Sequence, residues 1–133
     1  MKKIYIAIAI STSLYAAPYT KQDRIQDMQK LAEAMSQIET GFFYNNKDIV
    51  KDGALQLSKI VKKVKPPLTK KEQQDPVAKK RKMELSDDIV ERISSKAMSI
   101  YDRYDTTDAR SSIQAYTTIV KQCMKCHNQI RHW

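Results

Sequence analysis

The sequence predicts an all-α protein, on three observations. The 133 residues include only two glycines and four prolines, too few turn-formers for a sandwich or barrel that reverses direction every 8 to 12 residues or so. Hydrophobic residues make up 41% and charged residues 29%, the mixture expected of helices with one buried and one wetted face. Apolar residues recur at intervals of three and four, and no alternating run that would make a strand interrupts them. Length and composition together define one ordinary domain.

The first segment is an address. Met1, Lys2 and Lys3 form a positive start, and Ile4 to Ala17 is apolar apart from Ser11, Thr12 and Ser13, the pattern of a secretory signal peptide. Its 14 residues fall short of the roughly 20 that cross a bilayer, although an uncleaved signal would act as a weak anchor. Pro18 disfavours a cut directly before it, so cleavage is placed after Ala16, with 1–16 the signal peptide and 17–133 the mature domain. The expected destination is the periplasm, an oxidising space in which a thiol pair is either a disulfide or chemically occupied.

Four amphipathic helices follow. Thr20 and Asp23 fit a capping box before a stripe of Ile25, Met28, Leu31, Met35, Ile38 and Phe42. Asn45 and Asn46 offer a turn and a cap before Ile49, Gly53, Leu57, Ile60 and Val64, and Pro66-Pro67 ends that helix. A polar, lysine-rich loop runs to Asp75, and Pro76 can open a third helix patterned by Ile89, Ile93, Ala97, Ile100 and Tyr104. Thr106, Thr107 and Asp108 supply caps for a last helix with Ile113, Tyr116, Val120, Cys123, His127 and Ile130 along one face. Four long helices with short links on either side of one longer loop predict an up-down-up-down bundle.

The chemistry lies at Cys123-Met124-Lys125-Cys126-His127. On a helix, residues i, i+3 and i+4 share one side, so two thiols and an imidazole can meet one porphyrin: the thiols add to its vinyl groups and the imidazole binds its iron. The motif is therefore read as the attachment site of a single covalent haem c. A thioredoxin-like dithiol would require a strand before the motif and a βαβ pattern around it, neither of which is present. A zinc site would recruit His132 beside Cys123, Cys126 and His127, a poor closed tetrahedron at a chain end.

With its haem motif in the C-terminal helix of a four-helix pattern, the chain resembles the class II c-type cytochromes, the cytochrome c prime group and its low-spin relatives. Cys123 to Arg131 looks like the family's Cys-x-x-Cys-His-x-x-aromatic-Arg, with Ile130 in place of the usual aromatic. Arg24 and Met28 match an arginine followed four residues later by the residue on the distal face of the haem. The resemblance implies a monohaem protein with His127 as proximal ligand and Met28 at the sixth position. It also implies that such bundles dimerise through their first two helices, although no decisive patch stands out in this sequence.

Helix lengths agree with that placement. Met28 lies seven residues from Lys21 and His127 six from Trp133, about 10 Å and 9 Å from ends that coincide in the expected topology. A methionine at helical spacing is also ordinary core material. Met35 shares its face about 10 Å deeper, while Met83 and Met98 belong to the third helix and to packing. With methionine on iron the protein is a low-spin electron carrier; with an apolar distal face it is a five-coordinate protein binding nitric oxide or carbon monoxide. Arg24 and Arg131 are candidates to pair with haem propionates, each with the alternative of a solvated surface arginine. His132 is read as exposed, and Trp133 either covers the haem edge or frays. No arrangement of catalytic residues stands beside the haem motif, so no enzymatic activity is expected.

The charge is uneven. Net charge is +9 and falls to +7 without Lys2 and Lys3. Between Lys62 and Lys82 stand Lys62, Lys63, Lys65, Lys70, Lys71, Lys79, Lys80, Arg81 and Lys82 against Glu72 and Asp75, so this segment alone carries +7. It is read either as a solvated loop or as a rim that steers an acidic redox partner. An anionic membrane surface stays open as a target, and nucleic acid is not expected for an exported protein.

Overall fold

The computed structural model describes residues 18–107 and 109–130. Residues 1–16, read as a signal peptide, and Asp108, Arg131, His132 and Trp133 lie outside the described residues. The described chain folds into helices α1 (Lys21–Phe43), α2 (Lys47–Val61), α3 (Lys70–Gln74), α4 (Pro76–Arg103) and α5 (Arg110–Ile130), with no strand among the described residues.

Local chemistry sets most of these boundaries. Thr20 accepts from the Asp23 amide while Asp23 accepts from the Thr20 amide, the reciprocal box expected at the start of α1. Asn45 takes a left-handed φ of 50°, which asparagine tolerates better than most side chains. Asn46 then caps α2 through the amides of Asp48 and Ile49. Asp75 caps α4, with Pro76 inside its first turn. In the turn before α5, Asp105 accepts from both the amide and the hydroxyl of Thr107, and Asp108, another of the expected caps, lies outside the described residues.

The expected polar loop contains an extra helix. Thr69 and Glu72 form a second capping box around α3, a Thr-x-x-Glu signature overlooked among the lysines. Glu72 also receives Lys82 Nζ at 2.9 and 3.0 Å, which ties α3 to the first turns of α4. Lys82, counted above with the exposed cations of this segment, is in fact buried and paired.

The long helices pack in sequence, α1 on α2, α2 on α4 and α4 on α5. Ile38, Val50, Ala54, Leu57, Ile89, Ala97, Ile100 and Ile119 are sealed between them. The α1–α2 crossing is close: a Cβ on Gly53 would stand 3.0 Å from the Ala34 carbonyl oxygen, and one on Gly41 2.8 Å from the Val50 amide nitrogen. The α2–α4 seam buries a Ser58–Ser94 hydroxyl pair at 2.8 Å. By contrast, α1 and α5 bring no described Cα atoms within 8 Å of each other, although packed helices lie about 8–10 Å axis to axis. Their side chains meet at one end, where Phe42 contacts Tyr116 edge-on with ring centroids 5.8 Å apart. Elsewhere a groove separates them.

That groove explains a mismatch with the predicted stripes. On α5 the fully buried face is Ser112, Ala115, Ile119 and Ile130. The neighbouring stripe is turned outward, with Ile113 49% and Val120 40% exposed. On α1 the buried face is Ala34, Ile38 and Gly41, while Ile25 is 39% exposed and Met28, Leu31 and Met35 are half-buried. Each outer helix therefore carries two apolar faces, one in the core and one on the groove.

Candidate functional site

The groove closes into an apolar cavity of about 240 Å³. Met28, Leu31, Ala32 and Met35 line it from α1, Val120, Cys123 and Met124 from α5, and Leu57, Val61 and Ile93 form its floor. Met28 and Cys123, 95 positions apart, thus face one space. A second cavity of about 580 Å³ adjoins it, lined by Lys21, Arg24, Ile25, Met28, Gln29, Ala32 and Pro67. Met28 and Ala32 belong to both, so the apolar space opens toward a basic mouth.

Cys123, Cys126 and His127 occupy the last turns of α5, at the i, i+3, i+4 spacing that puts them on one side of a helix. Cys123 and Cys126 pack against the edge of the core, and all three side chains are half-buried. Burial, and then the neighbouring Cys126, pushes the Cys123 thiol up to about 11. A dithiol oxidoreductase needs the opposite, an attacking thiol with a depressed pKa. For the zinc reading, no three His, Cys, Asp or Glu side chains converge on a metal position among the described residues. His132, the proposed fourth ligand, lies outside them.

Arg24 stands at the mouth with its Nε donating to the Lys65 carbonyl at 3.0 Å and its guanidinium over the Tyr19 ring. It is therefore anchored, contrary to the alternative of a freely solvated side chain. Tyr19 donates to Asp27 at 3.0 Å, and burial followed by that bond pushes its phenol up to about 12. These contacts lash the chain before α1 and the segment after α2 to the outer face of α1. Arg131, the other propionate candidate, lies outside the described residues.

The residues present fit a haem. An open apolar groove divides two helices; Met28 and Cys123 face its cavity, Cys126 and His127 stand on the same last turns of α5, and Lys21 and Arg24 line the mouth as cations that could receive carboxylates. Met124, 52% exposed, and Ala32 and Pro67 were not read as site residues. Met124 sits inside the motif one residue after Cys123, and its 100° offset on the helix could have revealed it. Pro67 was read only as a helix stop.

No family model matches the chain, and no curated protein and no solved structure matches it either.

Proposed function

We propose that this chain is an exported monohaem c-type cytochrome of the class II kind, with α1, α2, α4 and α5 as an up-down-up-down four-helix bundle and electron carriage as its work. The observation that carries the reading is the outward apolar face of α5. That face bears Cys123, the first thiol of the Cys-x-x-Cys-His motif, which shares an apolar cavity with Met28. An apolar face left open on both outer helices calls for an apolar occupant.

In this reading Cys123 and Cys126 would hold haem c by thioethers, and His127 and Met28 would bind its iron. When bound, the haem supplies a one-electron iron couple. His127 and Met28 as ligands in both oxidation states would keep rearrangement small, and the Met28 thioether would raise the potential. Leu31, Met35, Leu57 and Ile93 keep water from the site, which further tunes the potential through the local dielectric. Arg24 would receive a propionate through charge-assisted hydrogen bonds, with Arg131 in the same role.

Two measurements test this. Extraction of the denatured protein with acidified solvent should leave the haem on the chain; quantitative release refutes the c-type assignment. The absorption spectrum should be low-spin and indifferent to carbon monoxide. A high-spin spectrum shifted by carbon monoxide would replace electron carriage by the five-coordinate, gas-binding alternative.

A further inference from the structure

A basic segment adjoins the place where the cavity opens. The segment after α2 begins beside Val61 on the cavity floor, supplies Pro67 to the mouth, and is pinned there by the Arg24–Lys65 bond. Of the nine basic residues between Lys62 and Lys82, all but Lys82 are exposed. Their two acidic neighbours are both committed, Glu72 to Lys82 and Asp75 to the cap of α4. Pairing Lys82 with Glu72 removes one charge of each sign, so the surface keeps the full +7 of the segment. Beyond Lys82, α4 continues with Glu84, Asp87, Asp88 and Glu91, so the positive field ends abruptly. Lys21 and Arg24 extend it across the mouth from α1.

We infer that this collar is the docking surface for an acidic protein, presenting the cavity mouth to it; the redox character of that partner rests on the function proposed above. A membrane fits less well. An interfacial segment needs a face of large apolar side chains, whereas α3 is Lys70-Lys71-Glu72-Gln73-Gln74 with nothing buried, and Val77 is the one strongly exposed large hydrophobic residue described in this stretch. Exposed charge on a pinned segment contributes mainly to the association rate, and the one exposed ion pair described for these cations, Lys80 with Glu84 at 3.8 Å, is weak enough in solvent to leave that field in place. The anchored loop and α3 hold these charges in one place, as a partner of fixed shape requires.

The test uses the exported, haem-loaded protein and poly-L-glutamate as an acidic polypeptide probe. Lys70→Gln, Lys71→Gln and Lys79→Gln are combined in one variant. A control combines Lys47→Gln, Lys96→Gln and Arg103→Gln, which removes equal charge elsewhere. Binding at low salt should weaken by roughly tenfold in the first variant and by no more than about twofold in the control, and the difference should vanish at high salt. Oxidation by hexacyanoferrate(III), in which one electron leaves ferrous haem to give hexacyanoferrate(II) with no bond made or broken, should slow in the same order. Oxidation by the cationic tris(phenanthroline)cobalt(III) should not.

Equal weakening in both variants, or in neither, overturns the collar. So does loss of binding to equimolar phosphatidylglycerol–phosphatidylcholine vesicles while poly-glutamate binding is kept, which makes the target a membrane. A chain that carries no covalent haem yet binds poly-glutamate through these lysines refutes the cytochrome reading and retains the surface.

Discussion

Alanine normally improves a helix that contains glycine, by about 1 kcal/mol, so Gly41→Ala and Gly53→Ala would be stabilising if α1 and α2 were apart. The crossing reverses that sign. A Cβ at Gly53 would meet Ile38 Cγ1 at 2.9 Å and, at 3.0 Å, both the Ala34 carbonyl oxygen and the Ile38 amide nitrogen. Backbone cannot turn aside as a side-chain tip can, so α1 as a whole must move, at the roughly 1–3 kcal/mol typical of overpacking. Gly41 is tighter, with Val50 Cγ2 at 2.5 Å and the Val50 nitrogen at 2.8 Å. Setting the clash against the gain in propensity, Gly53→Ala should destabilise by about 1 kcal/mol and Gly41→Ala by about 2 kcal/mol. Urea unfolding of the protein followed by far-ultraviolet circular dichroism measures both. With a slope of about 2 kcal/mol per molar, the midpoint should fall by roughly 0.5 M and 1 M. A rise in either midpoint, or a larger fall for Gly53→Ala than for Gly41→Ala, would refute the close crossing.

Met28→Ala should convert a low-spin spectrum into a high-spin one that shifts with carbon monoxide, whereas Met35→Ala should leave the spectrum intact and cost about 1–2 kcal/mol of stability, because its side chain is only half-buried. An unchanged spectrum for Met28→Ala rules out its ligand role. The Thr69 amide, and then Lys82, hold the Glu72 carboxyl at about 2 instead of its ordinary 4.5. A lowered folded-state value stabilises fully above the unfolded one, so docking of α3 should weaken only as pH falls from about 4.5 through about 2; a nuclear magnetic resonance titration of Glu72 with its midpoint near the ordinary value would refute the pairing. Ser58→Ala or Ser94→Ala alone should cost about 1–2 kcal/mol by orphaning the partner hydroxyl, and the double variant less than the sum. Additive costs in that cycle would show that the two hydroxyls do not pair.

Helix identity was legible because capping chemistry and periodicity agree over long stretches. Thr20 with Asp23, Asn46 and Pro76 all act as read, and Ile89, Ile93, Ala97, Ile100 and Tyr104 are all buried. The short helix α3 was missed because five polar residues have no apolar period, and only the Thr69–Glu72 box betrays it. Lys82 was misjudged for a related reason. Composition places a lysine on the surface by default, and nothing local shows that a carboxylate ten residues earlier will be folded back over it.

On α1 and α5 the apolar stripe and the buried core do not coincide, and that difference is the most informative one. Periodicity reports that a face is apolar; it does not report what covers the face. On α4, packed by α2 on one side and α5 on the other, the apolar stripe and the buried face coincide. On α1 and α5, each flanked by one long helix, they diverge. Ala34, Ile38 and Ala115, Ile119 are sealed, while Met28, Leu31, Val120 and Met124 remain on the groove. A chain that needed only a stable bundle could place polar residues on those outer faces at little cost, since half-exposed side chains contribute a fraction of full burial. Apolar residues stand there on both helices, at the level of the Cys-x-x-Cys-His motif and above a sealed floor of Leu57 and Ile93. The divergence between stripe and core therefore marks the groove as a candidate site from packing alone, and Cys123, from the segment that the cysteine spacing picks out, lines it.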